Sequence, residues 1–372
     1  MKKILHISKY YFPFKGGTEQ IAQDCVNSLA RYKQKIICFN NGTGNVKDKV
    51  DGIEVVRCGC FTEISSQPLS LSYGRILKNI IGSFKPDIVV FHYPNPFVAY
   101  YLLKYLPGDT KFVLYWHLDI IKQKFLRKFF NLQNRKLLKR ADKIIVTSYN
   151  YIKGSPWLKQ VENKCVVIPN CINVQRLEKT VRSKSIEKKI KKKNNGKIIC
   201  LAVGRHTEYK GFTYLIQASR YLDDRFRIYI TGKGELTEKL KHEASGDNKI
   251  QFLGSVPDDV LKAYLSAMDI FCFPSVTKNE AFGLALAEGM YYSKPAVTFT
   301  IEGSGVNFVN LNGITGIEVP NRDAKAYADA IKKLASNREL REQYGRNGRK
   351  RVVENFLDKQ FRENTRREIG SL

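Results

Sequence analysis

Asp269-Ile-Phe-Cys-Phe-Pro274, followed by Glu280-Ala-Phe-Gly-Leu-Ala-Leu-Ala-Glu288 and Gly289, is the stretch on which the reading of the chain turns. A short apolar run of strand type leads into a loop that carries one carboxylate. A helix beginning near Phe282-Gly283 carries a second, eight positions on. At 1.5 Å rise per residue, eight helical positions span about 12 Å, so the two carboxylates would hold opposite ends of one elongated ligand. The free backbone N–H groups of a helix start lie between them, a site suited to a diphosphate. Gly283 lets the backbone come close to such an anion because no Cβ stands in the way. Two glutamates eight apart would otherwise read as a solvated helix face, so the rest of the chain has to decide.

Upstream, the apolar run Ile198-Ile-Cys-Leu-Ala-Val203 passes directly into Gly204-Arg205-His-Thr-Glu-Tyr-Lys210-Gly211. Near the start, Phe14-Lys15-Gly16-Gly17-Thr-Glu follows a strand-like segment and opens a helix. A Gly-Arg…Lys motif ahead of E-x7-E, with a Gly-Gly first loop, resembles the family 4 glycosyltransferases over nearly the whole length. The resemblance implies an α/β fold of the GT-B type: two facing Rossmann-like domains, doubly wound parallel sheets and a C-terminal helix returning to the first domain. It implies an acceptor-side domain over 1–170, a nucleotide-sugar domain over 171–355 and a bracing helix over 356–372. Val166-Val-Ile-Pro-Asn-Cys-Ile172 resembles the crossover between them, with Cys171 where the family has a small glycine.

At 372 residues the chain suits two domains, each able to bury its own core, and 43% apolar content excludes general disorder. No apolar run reaches the length of a membrane span, and Met1-Lys-Lys leads straight into Ile4-Leu-His-Ile7. The expectation is a cytoplasmic protein, peripheral on the inner face of the plasma membrane. Cysteines 25, 38, 58, 60, 165, 171, 200 and 272 form no CxxC pair and read as buried free thiols. The outlier is charge: 63 Lys+Arg against 35 Asp+Glu gives +28, which implies a polyanionic partner. Lys122 to Lys143 is dense in Lys and Arg, with Phe125, Phe129, Leu132 and Leu138 at near-helical spacing. It would suit a basic amphipathic helix on an anionic membrane, or a solvated surface helix. Arg182 to Lys197 reads as a solvated, mobile linker; it lacks interleaved aromatics, which argues against a nucleic-acid arm.

Strand-like and helix-like segments alternate throughout, the pattern of parallel sheets. In the first half the strands are Lys3 to Ser8, Lys35 to Phe39, Ile53 to Arg57, Ile88 to His92, Phe112 to His117 and Ile144 to Ser148. A helix is expected from Thr18 as N-cap, and others over Ser72 to Ser83, Pro96 to Tyr105 and Gln123 to Arg140. The second half has strands at 197–203, 225–231, 250–253, 270–273, 296–300 and 316–319, with helices between them and three more to the C-terminus.

Glycosyl transfer needs the departing diphosphate stabilised, by a metal on a D-x-D motif or by fixed protein cations. No D-x-D occurs in the sequence, so Arg205 and Lys210, on a strand-to-helix loop, are expected to serve, with no metal or other cofactor required. Resemblance extends the site. Glu280 would contact sugar hydroxyls, the amides of Phe282, Gly283 and Leu284 would face the distal phosphate, and Glu288 would accept from the ribose hydroxyls. Gly16 and Gly17 would let backbone approach phosphate or acceptor. The base would rest by Gly232-Lys-Gly-Glu235 and Phe252-Leu-Gly-Ser-Val256. His117 would sit beside the donor sugar, with Asp119 and His92 toward the acceptor; His6 reads as core. The stretch Ile301 to Asn310 resembles a loop of bacterial polysaccharide members. The implied activity is retaining transfer of a hexose or N-acetylhexosamine from a UDP- or GDP-sugar to a glycan, a lipid-diphosphate-linked O-antigen or capsule precursor. A nucleotide-sugar 2-epimerase of the same fold and a basic nucleic-acid-binding protein are the alternatives; the first would need acid/base carboxylates around the sugar, the second predicts salt-sensitive binding without nucleotide release.

Overall fold

The computed structural model describes residues 1–14, 16–64, 67–119 and 127–372, with the side chains of 127–130 outside the description. The chain divides into two compact units, Met1–Pro169 with Phe361–Leu372, and Asn170–Gln360.

The first unit is built on β1 (Lys3–Ile7), β2 (Lys33–Phe39), β3 (Val46–Val50), β4 (Ile53–Cys58), β5 (Thr62–Ile64), β6 (Gln67–Leu69), β7 (Ile88–Tyr93), β8 (Lys111–Trp116), β9 (Lys143–Val146) and β10 (Cys165–Val167). Eight of them form one sheet in the order β10-β9-β8-β7-β1-β2-β4-β3, parallel except for the β3–β4 pair, while β5 and β6 form a separate antiparallel pair. Every residue of β7 is buried, as expected where helices cover both faces of a parallel sheet. The chain runs outward from β1 in both directions, so the strand order reverses between β1 and β7. Loops after those two strands therefore diverge and leave a crevice at the carboxyl edge.

The helix after β1 spans Gly17–Ser28 and its N-cap is Gly16, not Thr18. Thr18 already lies inside the helix, where its hydroxyl turns to the Glu19 carboxylate at 2.9 Å. The last helix, Asp358–Gly370, buries Phe361, Thr365 and Ile369. It is tied within the first unit by Lys143, whose ammonium donates to the Glu368 carbonyl at 2.7 Å and carboxylate at 2.9 Å, and by Arg366, which donates to the Ser28 carbonyl at 2.8 Å.

The second unit holds β11 (Ile198–Val203), β12 (Phe226–Thr231), β13 (Ile250–Gly254), β14 (Ile270–Phe273), β15 (Ala296–Phe299) and β16 (Gly316–Val319). They form a wholly parallel sheet in the order β13-β12-β11-β14-β15-β16, so the reversal falls between β11 and β14. The two loops singled out in the sequence, after Val203 and after Phe273, are the ones that flank this switch point.

Two expectations change. Arg182 to Lys197 is not a mobile linker: Val181–Lys193 is a helix, N-capped by the Thr180 hydroxyl accepting from the Ser183 amide at 3.0 Å. Its lysines hid a sparse inner face, Ser183 and Ile190, which packs on the helix Asp258–Ala267. It ends at buried Asn194, whose side-chain oxygen accepts from Tyr229 at 3.0 Å. In the other basic run, Lys122, Lys124 and Phe125 lie outside the described residues, as does the Phe129 side chain. Within the helix Arg127–Arg140, Leu138 is buried while Leu132 is 58% exposed, so these two do not share one apolar face.

Candidate functional site

In the second unit four glycine-bearing loops converge at the carboxyl edge of the sheet. A Cβ on Gly232 would fall 1.9 Å from the Gly204 carbonyl, and one on Gly234 2.5 Å from that of His206. The Gly232 amide donates to the Gly254 carbonyl at 2.8 Å. Close backbone contact of this kind excludes any side chain at Gly232, which also sits at φ +123°. The loops after β11, β12 and β13 are thus locked together, and Val256 follows directly, half-buried.

Lys210 closes this group. Its stem lies over Gly204, where a Cβ would come within 3.4 Å of Lys210 Cδ and Cε. Its ammonium sits 5.0 Å from the centre of the Phe273 ring and is ion-paired with the Glu280 carboxylate, both side chains being 12% exposed. The same Glu280 oxygen accepts from Ser275 at 3.1 Å, and the Glu280 carbonyl accepts from Ser304 at 2.6 Å. Phe273 in turn touches the point where a Cβ on Gly283 would stand, at 3.4 Å. Arg205 is different. It is exposed, and its guanidinium has no hydrogen-bond or ion-pair partner among the described residues.

Gly283 has φ +96° and is the N-cap of the helix Leu284–Tyr291. Only a residue without Cβ takes this conformation at no cost, and it aims the first-turn amides, which have no intrahelical acceptor, away from the helix body. Phe282 is buried with its ring 5.2 Å from that of Phe356, edge to face, while Leu284 remains half-buried. Because the helix starts at Leu284, Glu280 belongs to the loop and only Glu288 to the helix, in its second turn. Burial pushes the Glu288 carboxyl up to about 6, with Arg176 opposing the rise and Asp258 adding to it. Arg176 donates to Asp258 at 3.1 Å.

In the first unit, Gly16 and Gly17 are both exposed at the helix start after β1. A Cβ on Gly16 would collide with the Glu19 carboxylate at 2.1 Å, whereas one on Gly17 would meet nothing within 4 Å. His92 lies in β7, as expected, and His117 follows β8; both are buried, with His92 Nδ1 and His117 Nε2 3.0 Å apart. Burial holds His117 down to about 3 and His92 well below the ordinary imidazole range, so neither carries charge near neutrality. The Asp119 Oδ1 accepts from the Trp116 indole and the Ser155 hydroxyl, each at 2.9 Å. That oxygen is therefore occupied in holding the strand end. His6 is core, as read from the sequence.

Several participants carry no motif. Ser275 and Ser304 orient Glu280, Phe273 supports Lys210, and Arg176 faces Glu288. Arg57, 3% exposed, donates to the Phe12 carbonyl at 2.6 Å and so fixes the loop that precedes Gly16. Ser275 and Phe273 adjoin the opening stretch and could have been suspected; the rest reach the site only through the fold.

A doubly wound sheet that carries an ion-paired lysine, an exposed arginine and a glycine-capped helix start at its switch point has the Rossmann-class arrangement, in which ligands bind at the carboxyl edge of the strands. Known proteins make the class specific. Residues 15–176 match the model described as Glycosyltransferase Family 4, and residues 183–351 that described as Glycosyl transferases group 1. The O-antigen chain mannosyltransferase C of Escherichia coli is 30% identical over 359 residues, covering 95% of this chain and 94% of that one. The D-rhamnosyltransferase WbpZ of Pseudomonas aeruginosa is 29% identical over 362 residues, covering 95% and 92%. Anabaena Alr3699/HepE, solved in complex with UDP and glucose, shares the fold with a TM-score of 0.78 at 16% identity, over 100% of both chains. The chain belongs to the family 4 glycosyltransferases: it is a glycosyltransferase with the GT-B fold, similar to enzymes named for O-antigen chain and D-rhamnosyl transfer.

Proposed function

We propose that the chain is a retaining hexosyltransferase that takes its donor as a UDP- or GDP-sugar and needs no metal for the transfer. The observation that carries this reading is the Lys210–Glu280 ion pair, whose lysine stem lies over Gly204 next to exposed Arg205 and whose ammonium lies over Phe273, the ring against the Gly283 cap of the following helix. A diphosphate entering there competes for Lys210, and Arg205 and the first-turn amides add to its hold. Glu280, released from the lysine but kept in place by Ser275 and Ser304, turns its free lone pairs to sugar hydroxyls. Glu288, ionised above about pH 6, accepts from the ribose.

As the bond from the anomeric carbon to the phosphate oxygen lengthens, negative charge builds on the leaving diphosphate. Arg205, Lys210 and the helix amides are preorganised for that charge, which is where fixed donors give most rate. Retention follows a front-face course, in which the leaving phosphate oxygen helps remove the acceptor proton. His117, a neutral imidazole of the first unit, serves as a hydrogen-bonding group rather than a charged acid. The relatives named for mannosyl and D-rhamnosyl transfer support a manno-configured donor, and O-antigen in one of those names supports a lipid-diphosphate-linked glycan acceptor on an anionic membrane. Among the described residues no helix is long and apolar enough to cross a membrane, so attachment would be through surface charge.

Incubation with a panel of UDP- and GDP-hexoses and a lipid-diphosphate acceptor tests the reading. It predicts release of one nucleoside diphosphate, with the anomeric configuration of the donor kept in the product by NMR, undiminished by EDTA. Inversion, C2-epimer formation, or turnover restored only by added divalent ions would contradict it.

A further inference from the structure

Away from the donor loops, three side chains of the first unit meet in its core. His6 lies in β1, Cys25 on the helix Gly17–Ser28 and His92 in β7, and all three are buried. A ring nitrogen of each histidine and the Cys25 sulfur lie within 4.8 Å of one another. The nitrogens not already engaged, His6 Nδ1 and His92 Nε2, are sealed from solvent and have no hydrogen-bond partner among the described residues. Two unpaired buried imidazole nitrogens in one core call for an explanation.

The Gln34 amide nitrogen donates to the carbonyls of Val26 and Leu29, both at 3.1 Å, so its oxygen is the atom that faces His6 Nε2 at 2.7 Å. An amide oxygen only accepts, and His6 must therefore carry its proton on Nε2. That leaves a bare lone pair on the buried Nδ1. His92 is held at its other nitrogen by His117 at 3.0 Å. Each histidine thus has a partner at one nitrogen, of the kind that orients a metal-ligating imidazole, and an unpartnered second nitrogen.

We propose that His6 Nδ1, Cys25 Sγ and His92 Nε2 hold one borderline-soft transition-metal ion, Zn2+ before others. One sulfur and two imidazoles are a donor set that such ions prefer to oxygen-binding Mg2+ or Ca2+. Bond lengths of about 2.0 to 2.3 Å at tetrahedral angles separate ligand atoms by about 3.3 to 3.7 Å, so small side-chain shifts close the three protein ligands onto an ion, with one water as the fourth ligand. Binding breaks the Cys25 S–H bond and forms a thiolate–metal bond, with one proton released. Since the site is buried, it loads as the unit folds rather than through an open channel. A ligand bond at His92 Nε2 also keeps the His92 proton on Nδ1, from which it is donated to His117 Nε2. The ion then fixes the tautomer of His117, leaving that residue's proton on Nδ1. This inference concerns the first unit's core and does not rest on the transfer reaction.

The test uses the full chain, expressed or refolded with Zn2+ or Co2+ and freed of loosely held ions by dialysis. The expected result is about one ion per chain, a thiolate-to-cobalt charge-transfer band with the visible bands of tetrahedral cobalt, and a melting temperature raised by about 5 °C or more by Zn2+. Cys25→Ala should lose the charge-transfer band and at least tenfold of the metal content while keeping its circular dichroism. Cys25→Ser serves where the alanine variant does not fold, and the wild-type cobalt spectrum needs no variant. Metal content far below one with no thermal shift would overturn the proposal and leave a buried water between the histidines. So would cobalt bound without thiolate character, or metal retained in full by Cys25→Ala, which would mark adventitious binding.

Discussion

Gly283 and Glu288 show what single residues contribute. At φ +96° a Cβ is strained by about 1 to 2 kcal/mol, and at this site it would also press on Leu286 Cβ at 3.3 Å and Phe273 at 3.4 Å. Gly283→Ala should therefore lower stability by roughly that amount and weaken nucleotide binding by more than it lowers the melting temperature, as read by calorimetric titration with UDP and GDP. Glu288 carries a pH signature. Its folded pKa of about 6 lies above the ordinary value of 4.5, so the folded state holds the proton more tightly. That contribution to stability is complete below about 4.5 and is lost as pH rises through 6. Glu288→Gln should flatten this part of the stability profile and leave the variant at least as stable at neutral pH. Nucleotide affinity should nonetheless fall by about 10- to 100-fold, because a charge-assisted acceptor is lost. Equal affinity in the variant would remove Glu288 from the ribose.

Elements were legible where their period was clean. Asp258–Ala267, Ile270–Phe273 and Gly316–Val319 lie where apolar spacing puts them. Val46–Val50 was hidden because Lys-Asp-Lys at its centre leaves it largely exposed as an edge strand. The helix Val181–Lys193 was hidden because eight cations between 182 and 197 outweigh two buried positions. Its N-cap gives a check: Thr180→Ala should cost about 1 kcal/mol in urea unfolding. Ile369, fully buried in the last helix, gives another. Ile369→Ala should cost about 2 to 5 kcal/mol, and its effect should fall on the unfolding of the first unit rather than the second. Two transitions shifted equally would contradict the assignment of residues 361–372 to the first unit.

Across the whole molecule, local chemistry was easier to read than long-range pairing. The Gly204-Arg205…Lys210 loop and the Glu280…Glu288 pattern could be placed at sheet edges from sequence, since each adjoins its own strand. Their meeting followed only from the family resemblance and not from local pattern, because Lys210 and Glu280 are 70 positions apart and come together through the strand order β11-β14. The buried His6–Cys25–His92 group was invisible for the same reason, since His6 read as core, Cys25 as a buried thiol and His92 as an acceptor-side residue. The charge of +28 belongs to this scale too. If an anionic membrane is the partner proposed above, co-sedimentation with phosphatidylglycerol vesicles should fall steeply as salt is raised, and neutral vesicles should bind little.

Under the proposed function, the second unit's loop cations stabilise the leaving diphosphate. The most direct measurement is nucleoside diphosphate release from the preferred sugar donor by wild type and by an Arg205→Ala, Lys210→Ala double variant of unchanged circular dichroism. Turnover should drop by about 10²- to 10³-fold or more, chiefly in kcat, as when an oxyanion stabiliser is removed. A double variant that keeps near-normal turnover would contradict it.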